Sequence, residues 1–365
     1  MRVLVAMSGG VDSSVAASLL AERLGRHQVV GATLKLWGGQ SDSGCCSVAD
    51  VEDARRVADQ LGLVHHVFNF AAEFEARVVD PYVRGHAEGR TPNPCIECNR
   101  HVKFDRLFQR ARALGFDAVA TGHHARNIVT PDGRYRLCRG ADPLKDQSYV
   151  LAMLGQEQLA RALFPVGDLT KAQVRDEARR AGLRTAGKPD SQDVCFIRSD
   201  EGRQGFLEAR LPLHPGRMVD HRTGHDLGPV EAVEMVTVGQ RRGMGHSDDG
   251  RRRFVTAVDV PGRRVLVGPP EAAHTDQVDL HTVTWVDADP LVADRSAGGT
   301  ERADGLAAMA QCSAHGRPVA CRVRWAHDGL TVAFEAPQRR IAPGQTVALY
   351  DRDHPDRVVG SGIAA

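Results

Sequence analysis

Lysine is scarce in this chain. Of 47 basic side chains only Lys35, Lys103, Lys145, Lys171 and Lys188 are lysines, the other 42 being arginine. A GC-rich genome accounts for that bias without a functional cause. Aromatic residues make up only 5% of the chain, and no apolar run approaches the ~18 residues that a membrane span requires. The first apolar stretch, residues 3–7, is too short for a signal-peptide core. The expectation is a soluble, cytoplasmic protein with no membrane partner. An excess of one charge is missing too: 47 Lys+Arg against 46 Asp+Glu leave a net charge of +1. That argues against a histone-like nucleic-acid binder but leaves local basic patches open. Eight cysteines in 365 residues are too few for a disulfide scaffold. In a reducing compartment, spaced cysteines point instead to catalysis, redox chemistry or metal binding. What remains is ordinary globular composition, 42% hydrophobic and 25% charged, with length for two or three domains at ~150 residues each.

The first 200 residues alternate between short β-rich runs and helical patterns. Strands are predicted at 3–7, 29–36, 64–70 and 117–121, and helices at 12–24, 102–114, 148–154 and 171–181. Another helix is marked by Val48, Val51, Ala54, Val57, Ala58 and Leu61 at helical spacing. This alternation predicts an α/β domain whose parallel sheet is covered by helices on both faces. A hairpin around Pro131-Asp132-Gly133 interrupts it. Past Asp200 the texture changes to one helix, 205–211, and short β-like runs such as 254–260 and 264–267, joined by a turn at Pro261-Gly262. A Gly/Ala/Asp-rich stretch, 293–304, reads as a loop or linker. Beyond it 319–325, 330–335 and 346–350 read as strands. The predicted organisation is a nucleotide-binding domain over 1–200, a small central domain over 201–274 and a C-terminal β-barrel over 275–365.

Met7-Ser8-Gly9-Gly10-Val11-Asp12-Ser13 lies between the first strand and the first helix. Two glycines let the backbone curl with its N–H groups inward, and the helix N-terminus adds positive potential; together they make an anion cradle. Ser8 and Ser13 can donate to phosphate oxygens, while Asp12 could cap the helix or hold Mg²⁺ beside a pyrophosphate. The string resembles the SGGxDS loop of the N-type ATP pyrophosphatases, which implies cleavage of ATP to AMP and pyrophosphate. A second string, Gly182 to Pro189, nearly fits a Walker loop. It is rejected because Pro189 replaces the Mg²⁺-binding hydroxyl and no apolar strand leads into it.

Cys45 and Cys46 are adjacent, which makes them poor joint ligands for one metal ion. Cys138, Cys312 and Cys321 read as small buried apolar residues. Cys95-Ile96-Glu97-Cys98 differs, because Pro92 and Pro94 should fix an extended loop that presents both thiols. C-x-x-C alone fits zinc, iron–sulfur or thiol exchange. Cys195, in Asp190-Ser191-Gln192-Asp193-Val194-Cys195-Phe196-Ile197, is the candidate partner. Gly-Arg-Thr-Pro-Asn-Pro-x-x-x-Cys-Asn, Ala-Thr-Gly-His, Lys-Asp-Gln-Ser-Tyr, Asp-Ser-x-x-x-Cys-Phe-Ile and Val-Gly-Gln-Arg-Arg-Gly-Met-Gly follow one another along the chain. With these five motifs in order, the sequence closely resembles bacterial tRNA-specific 2-thiouridylases.

That resemblance implies ATP-dependent 2-thiolation of the wobble uridine of tRNA. AMP placed on the uracil C2 oxygen would make it a leaving group, and a persulfide sulfur would then attack C2. Carried over residue by residue, it implies nucleotide contacts from Ala6 through Ser13, Leu34 and Gly122. Target-base contacts fall on Asn93, Pro94 and Cys95, and other tRNA contacts on His123, Lys145, Asp146 and Gln147. In the C-terminal domain Arg324, Trp325 and Gln345 align with RNA-contacting positions. Cys195 would carry the persulfide and Cys98 would be the nucleophile or resolving partner, with a Cys98–Cys195 disulfide as one route to sulfide release. A cysteine desulfurase or sulfur-relay protein would supply the sulfur. Many relatives have Asp where this chain has Cys95, so an acid–base role there is in doubt. Three thiolates, Cys95, Cys98 and Cys195, could instead hold a [4Fe-4S] cluster with one open iron; the cluster-free route is preferred because the Asp-bearing relatives share the fold. Arg241-Arg242, Arg251-Arg252-Arg253 and Arg339-Arg340 are candidate basic contacts to RNA. Two rivals stand beside this reading. Another AMP-forming enzyme of the loop family, such as an amidotransferase synthetase, would lack the paired sulfur cysteines. A noncatalytic iron–sulfur or zinc RNA-binding protein would not explain the loop.

Overall fold

The structure is a computed structural model that describes residues 1–36, 48–190, 194–197, 200–247, 249–291, 305–326 and 329–365. Cys45, Cys46, residues 191–193 of the Cys195 motif and the 293–304 stretch lie outside the described residues. Five strands, β1 (Val3–Ala6), β2 (Val29–Lys35), β3 (Val64–Asn69), β4 (Ala118–Ala120) and β7 (Ala162–Leu163), form one sheet in the order β3-β2-β1-β4-β7. Every pairing in it is parallel. Val3, Leu4 and Val5 of the central strand are fully buried, as a continuous apolar run between two helical layers must be. On one face α1 (Val11–Leu24), α2 (Val48–Leu61) and the helix Lys171–Arg180 contribute Val15, Val57 and Val174 to one core. On the other face the helical segments Ala71–Phe74, Glu75–Val79, Asp80–Ala87, Cys98–Arg106 and Leu107–Ala113 bring Phe74, Tyr82, Val102 and Leu107 against Leu4 and Leu34. The expected hairpin is β5 (Ala125–Val129) with β6 (Tyr135–Arg139), turning through Gly133 at φ 79°. Strand β7 was not anticipated, since two residues are too few to show a period.

Past Asp200, β8 (Gly216–Asp220), β9 (Asp226–Val230), β10 (Phe254–Asp259) and β11 (Arg264–Gly268) form a four-stranded sheet in the order β10-β11-β8-β9. The Pro261-Gly262 turn joins β10 to β11, with Arg263 in the left-handed region at φ 51°. Six strands then close a barrel in the order β12-β15-β14-β13-β16-β17: β12 (His274–Trp285), β13 (Leu306–Gln311), β14 (Val319–Ala326), β15 (Gly329–Arg339), β16 (Thr346–Asp351) and β17 (Val358–Ala364). In β14 Cys321 and Val323 point inward while Arg322 and Arg324 are exposed, the period of two that a strand imposes. Closure leaves no sheet edge open.

The barrel is bonded to the first domain. Tyr149, Leu151 and Phe104 share a core with Ala348, Tyr350 and Val358. Tyr149 Oη donates to the Thr346 carbonyl at 2.8 Å, and Ser361 Oγ donates to that of Ala152 at 3.0 Å. The Arg139 guanidinium lies 3.8 Å from the centre of the Tyr350 ring. No helix among the described residues is long and apolar enough to cross a membrane.

Candidate active site

The β1–α1 junction is shaped by its glycines. Gly9 sits at φ 73°, and a Cβ there would fall 2.4 Å from the Asp50 carbonyl oxygen, so both conformation and space demand glycine. Gly10 is the N-cap and offers no capping side chain, leaving the first-turn N–H groups of a 14-residue helix for an anion. The two serines first close the loop on itself. Ser8 N–H donates to Ser13 Oγ at 3.1 Å, the two hydroxyls lie 3.3 Å apart, and Ser13 Oγ donates to the Gly10 carbonyl at 3.1 Å. Gly122, two residues past β4, packs so closely that a Cβ would lie 2.5 Å from Ser13 N. Leu34, near the end of β2, is buried in the core, and Ala6 and Met7 complete the end of β1.

Asp12 turns toward a cationic neighbourhood. Lys171 Nζ reaches both of its oxygens at 2.8 Å, and His124 Nε2 lies 3.2 Å from Oδ1. Burial alone would raise the Asp12 pKa, but those two hydrogen bonds and the lysine charge bring it below the ordinary carboxylate value. Lys171 also reaches Asp190 at 2.8 Å, and Lys145 and Arg175 meet the same carboxylate at 2.8 and 3.1 Å. Burial opposes ionisation of Asp190 as well, yet the lysine contacts hold its pKa at about 2. Lys188, in the rejected Walker-like string, instead ties down α2 through Asp50 at 2.7 Å and Asp53 at 2.9 Å. Sequence reasoning missed Lys171, Arg175 and Lys188; the shortage of lysine was the signal that could have found two of them.

The Cys95–Cys98 segment is not the extended loop that the prolines suggested. Asn93 caps a helical turn, Pro94–Glu97, with its Oδ1 accepting from Cys95 N at 3.1 Å and Ile96 N at 3.4 Å. Pro94 sits in the first turn, where its fixed φ and missing N–H cost nothing. The helix runs on through Cys98–Arg106. Cys95 is exposed and Cys98 buried, one turn further in. Cys195 is half-buried, and both Cys98 and Cys195 border the same core cluster, with Phe196 edge-on to Phe74 and Tyr82. Among the described residues no three His, Cys, Asp or Glu side chains converge to hold a metal, so Cys95, Cys98 and Cys195 are not gathered as cluster ligands. Mg²⁺ asks for less, one or two carboxylates with phosphates and water completing its shell, and Asp12 is the carboxylate of the loop that could hold it, sharing its oxygens with Lys171.

The remaining implied contacts divide. His123 is buried against Phe104 and Phe164, with Nδ1 2.7 Å from Thr121 Oγ1; burial, then the charges of Lys103 and His124, hold its pKa well below the usual value. The Asp146 carboxylate accepts from Arg139 at 2.6 Å and from Gly140 N–H and Ser148 N–H, each at 3.0 Å. Gln147 Oε1 accepts from His124 N–H at 2.9 Å. A cleft of about 600 Å³ opens where all three parts of the chain meet. Asn93 and Pro94 line it together with Arg203, Arg339, Arg340 and Gln345. Gln345 donates to the Thr91 carbonyl, and Thr91 N–H to that of Pro343 at 2.8 Å. Cys312 lines this cleft as well and is half-buried rather than enclosed, although burial pushes its pKa to about 12. Arg324 and Trp325 are not brought to it. They sit where β14 meets the start of β15, whereas Arg339 ends β15 and Cys312 follows the far end of β13.

Residues 1–199 match a family described as the tRNA methyl transferase HUP domain. Residues 204–269 match the tRNA methyl transferase PRC-barrel domain, and 280–364 the aminomethyltransferase beta-barrel domain. The tRNA-specific 2-thiouridylase MnmA of Chloroflexus aggregans is 44% identical over 370 residues, covering 100% of this chain and 98% of its own. That of Salinispora tropica is 44% identical over 375 residues, covering 100% and 99%, and that of Thermobifida fusca 42% over 370 residues, covering 100% and 96%. Among solved structures, an NH3-dependent NAD synthetase from Campylobacter jejuni, 18% identical, aligns with a TM-score of 0.33 over 52% of this chain and 69% of that one.

Proposed function

Because the chain belongs to the tRNA-specific 2-thiouridylase family, we propose that it is an ATP-dependent tRNA-uridine 2-sulfurtransferase working through an adenylated base. The uracil C2 oxygen attacks the α-phosphorus of ATP held at the Ser8–Ser13 loop, and pyrophosphate leaves. The terminal sulfur of a persulfide on Cys195 then attacks C2, and AMP departs with the former C2 oxygen. Finally the Cys98 thiolate attacks Cys195 Sγ, which breaks the S–S bond. That releases 2-thiouridine and joins Cys98 to Cys195, and an external thiol reduces the pair for the next turn. Asp12 would hold Mg²⁺ against the phosphates, where the cation offsets the charge of the leaving pyrophosphate.

The observation that carries this reading is the union, in one domain, of a phosphate cradle with two thiol-bearing segments that border one core. Methyl transfer, the term in two of the matched domain descriptions, would call for a methyl donor. It gives neither the AMP-forming loop nor Cys98 and Cys195 a task. The cleft lined by Asn93, Pro94, Arg339 and Arg340 supports entry of an RNA strand at that end of the barrel. The deciding experiment incubates the protein with tRNA, ATP, L-cysteine and a cysteine desulfurase, and analyses nucleosides and nucleotides. 2-Thiouridine, AMP and pyrophosphate in equal amounts are expected, and Asp12→Asn should lower pyrophosphate release by roughly 10²-fold. ADP and phosphate as products, or methylated uridine formed from S-adenosylmethionine, would sink the reading.

A further inference from the structure

We propose that Lys171 is a positioning residue that couples nucleotide chemistry to sulfur delivery by tying Asp12, in the phosphate loop, to Asp190, the residue that opens the Cys195 motif. This inference rests on the adenylation reading above. The lysine bridges two carboxylates that lie 178 positions apart, at 2.8 Å from each. Its side chain is only 12% exposed. An ammonium taken that far from water needs paired carboxylates, and removing either partner leaves an imperfectly compensated charge.

The support around it is built for position. Thr170 caps the helix in a reciprocal capping box with Gln173, and Lys171 N–H donates to Asp142 Oδ2 at 2.9 Å. One turn on, Arg175 meets Asp190 and also donates to the carbonyls of Ala186 at 2.9 Å and Lys188 at 3.1 Å, fixing the chain that leads into the motif. Composition points the same way. In a chain with only five lysines, three of them, Lys145, Lys171 and Lys188, pair with aspartates at or beside the phosphate loop. A compact ammonium brings both carboxylates onto one nitrogen, whereas an arginine fork spreads its partners over separate nitrogens. A group meant only to bind phosphate would not need its second carboxylate on the segment that bears the sulfur cysteine.

The chemical need is plain. Once the C2 oxygen carries AMP, water competes with the persulfide; hydrolysis returns uridine and AMP, so ATP is consumed without thiolation. Holding Asp190 in register with Asp12 keeps Cys195 in reach while the adenylate exists.

The test is single-turnover reaction of the full-length protein, preloaded with persulfide, comparing pyrophosphate released with 2-thiouridine formed. The wild type should give a ratio near one. Asp190→Asn, which leaves the Asp12–Lys171 pair intact, and Lys171→Met should raise it by about fivefold or more, the lower end of ordinary coupling between sites. A general loss of structure or of ATP affinity lowers both products together and leaves the ratio unmoved. That outcome in Asp190→Asn overturns the inference even if Lys171→Met does not fold. A wild type that releases no pyrophosphate removes the adenylation reading and this coupling with it. A coupled wild type with unmoved variants removes the coupling alone.

Discussion

The three cysteines of the two thiol motifs carry different physical burdens. Cys98 and Cys195 border one core, while Cys95 is exposed at the first turn of its helix. Cys98→Ser and Cys195→Ser should therefore abolish thiolation, and Cys95→Ser or Cys95→Asp should retain most of it, measured by single-turnover nucleoside analysis. Stoichiometric iron and sulfide in anaerobically purified protein, lost with activity in Cys95→Ser, would instead make Cys95 a cluster ligand. Asp190 has a separate signature. Its pKa is depressed from 3.8 to about 2, so the stability it contributes is present above roughly pH 4 and is lost as pH falls toward 2. The unfolding midpoints of wild type and Asp190→Asn should differ near neutrality and converge on acidification. A difference that stays constant down to pH 2 would contradict that pairing.

At the scale of elements, what could be read in the sequence depended on length and periodicity. α1 and α2 are long enough to display their period, β1 and β2 stand out as apolar runs, and the structure places all four within a residue or two of expectation. Two-residue β7 and the polar β12 show no such pattern, and their pairing partners lie far along the chain. The phosphate loop was legible because its chemistry is local. The Asp12–Lys171–Asp190 bridge was not, because it exists only after folding brings distant segments together. The Asn93–Pro94 pair was misread for another reason: proline suggested an extended loop, whereas Asn followed by Pro is also how a helix begins. Removing that cap, Asn93→Ala, should cost about 1 kcal/mol of stability, with Asn93→Ser retaining most of it, by urea unfolding. Gly122→Ala pushes a Cβ to 2.5 Å from the Ser13 nitrogen, so the α1 start must move. Pyrophosphate release should fall ten- to a hundredfold, roughly what a 1 Å misplacement costs, with tRNA affinity unchanged.

For the whole molecule the barrel is a structural wall as well as the proposed RNA surface. Tyr350 and Val358 complete a core begun by Tyr149 and Leu151, so deleting the barrel would strip the first domain rather than isolate a binding function. Point changes at the cleft are the cleaner probe. Replacing Arg339 and Arg340 with alanine should weaken tRNA binding while sparing the KM for ATP. The slope of log affinity against log salt should become shallower by about 1 to 2, as expected for two lost phosphate contacts. An unchanged slope would take these arginines off the RNA path. The barrel's strand order has one more consequence, in time. Strand β17 sits between β12 and β16, yet it is translated after every other barrel strand. At about 5–20 residues per second, β12 waits on the order of ten seconds on the ribosome for this neighbour. The strands of the parallel sheet are all made by residue 163, but the barrel closes only when β17 arrives. A nascent chain can therefore complete its phosphate loop well before its barrel closes, which orders the two during synthesis.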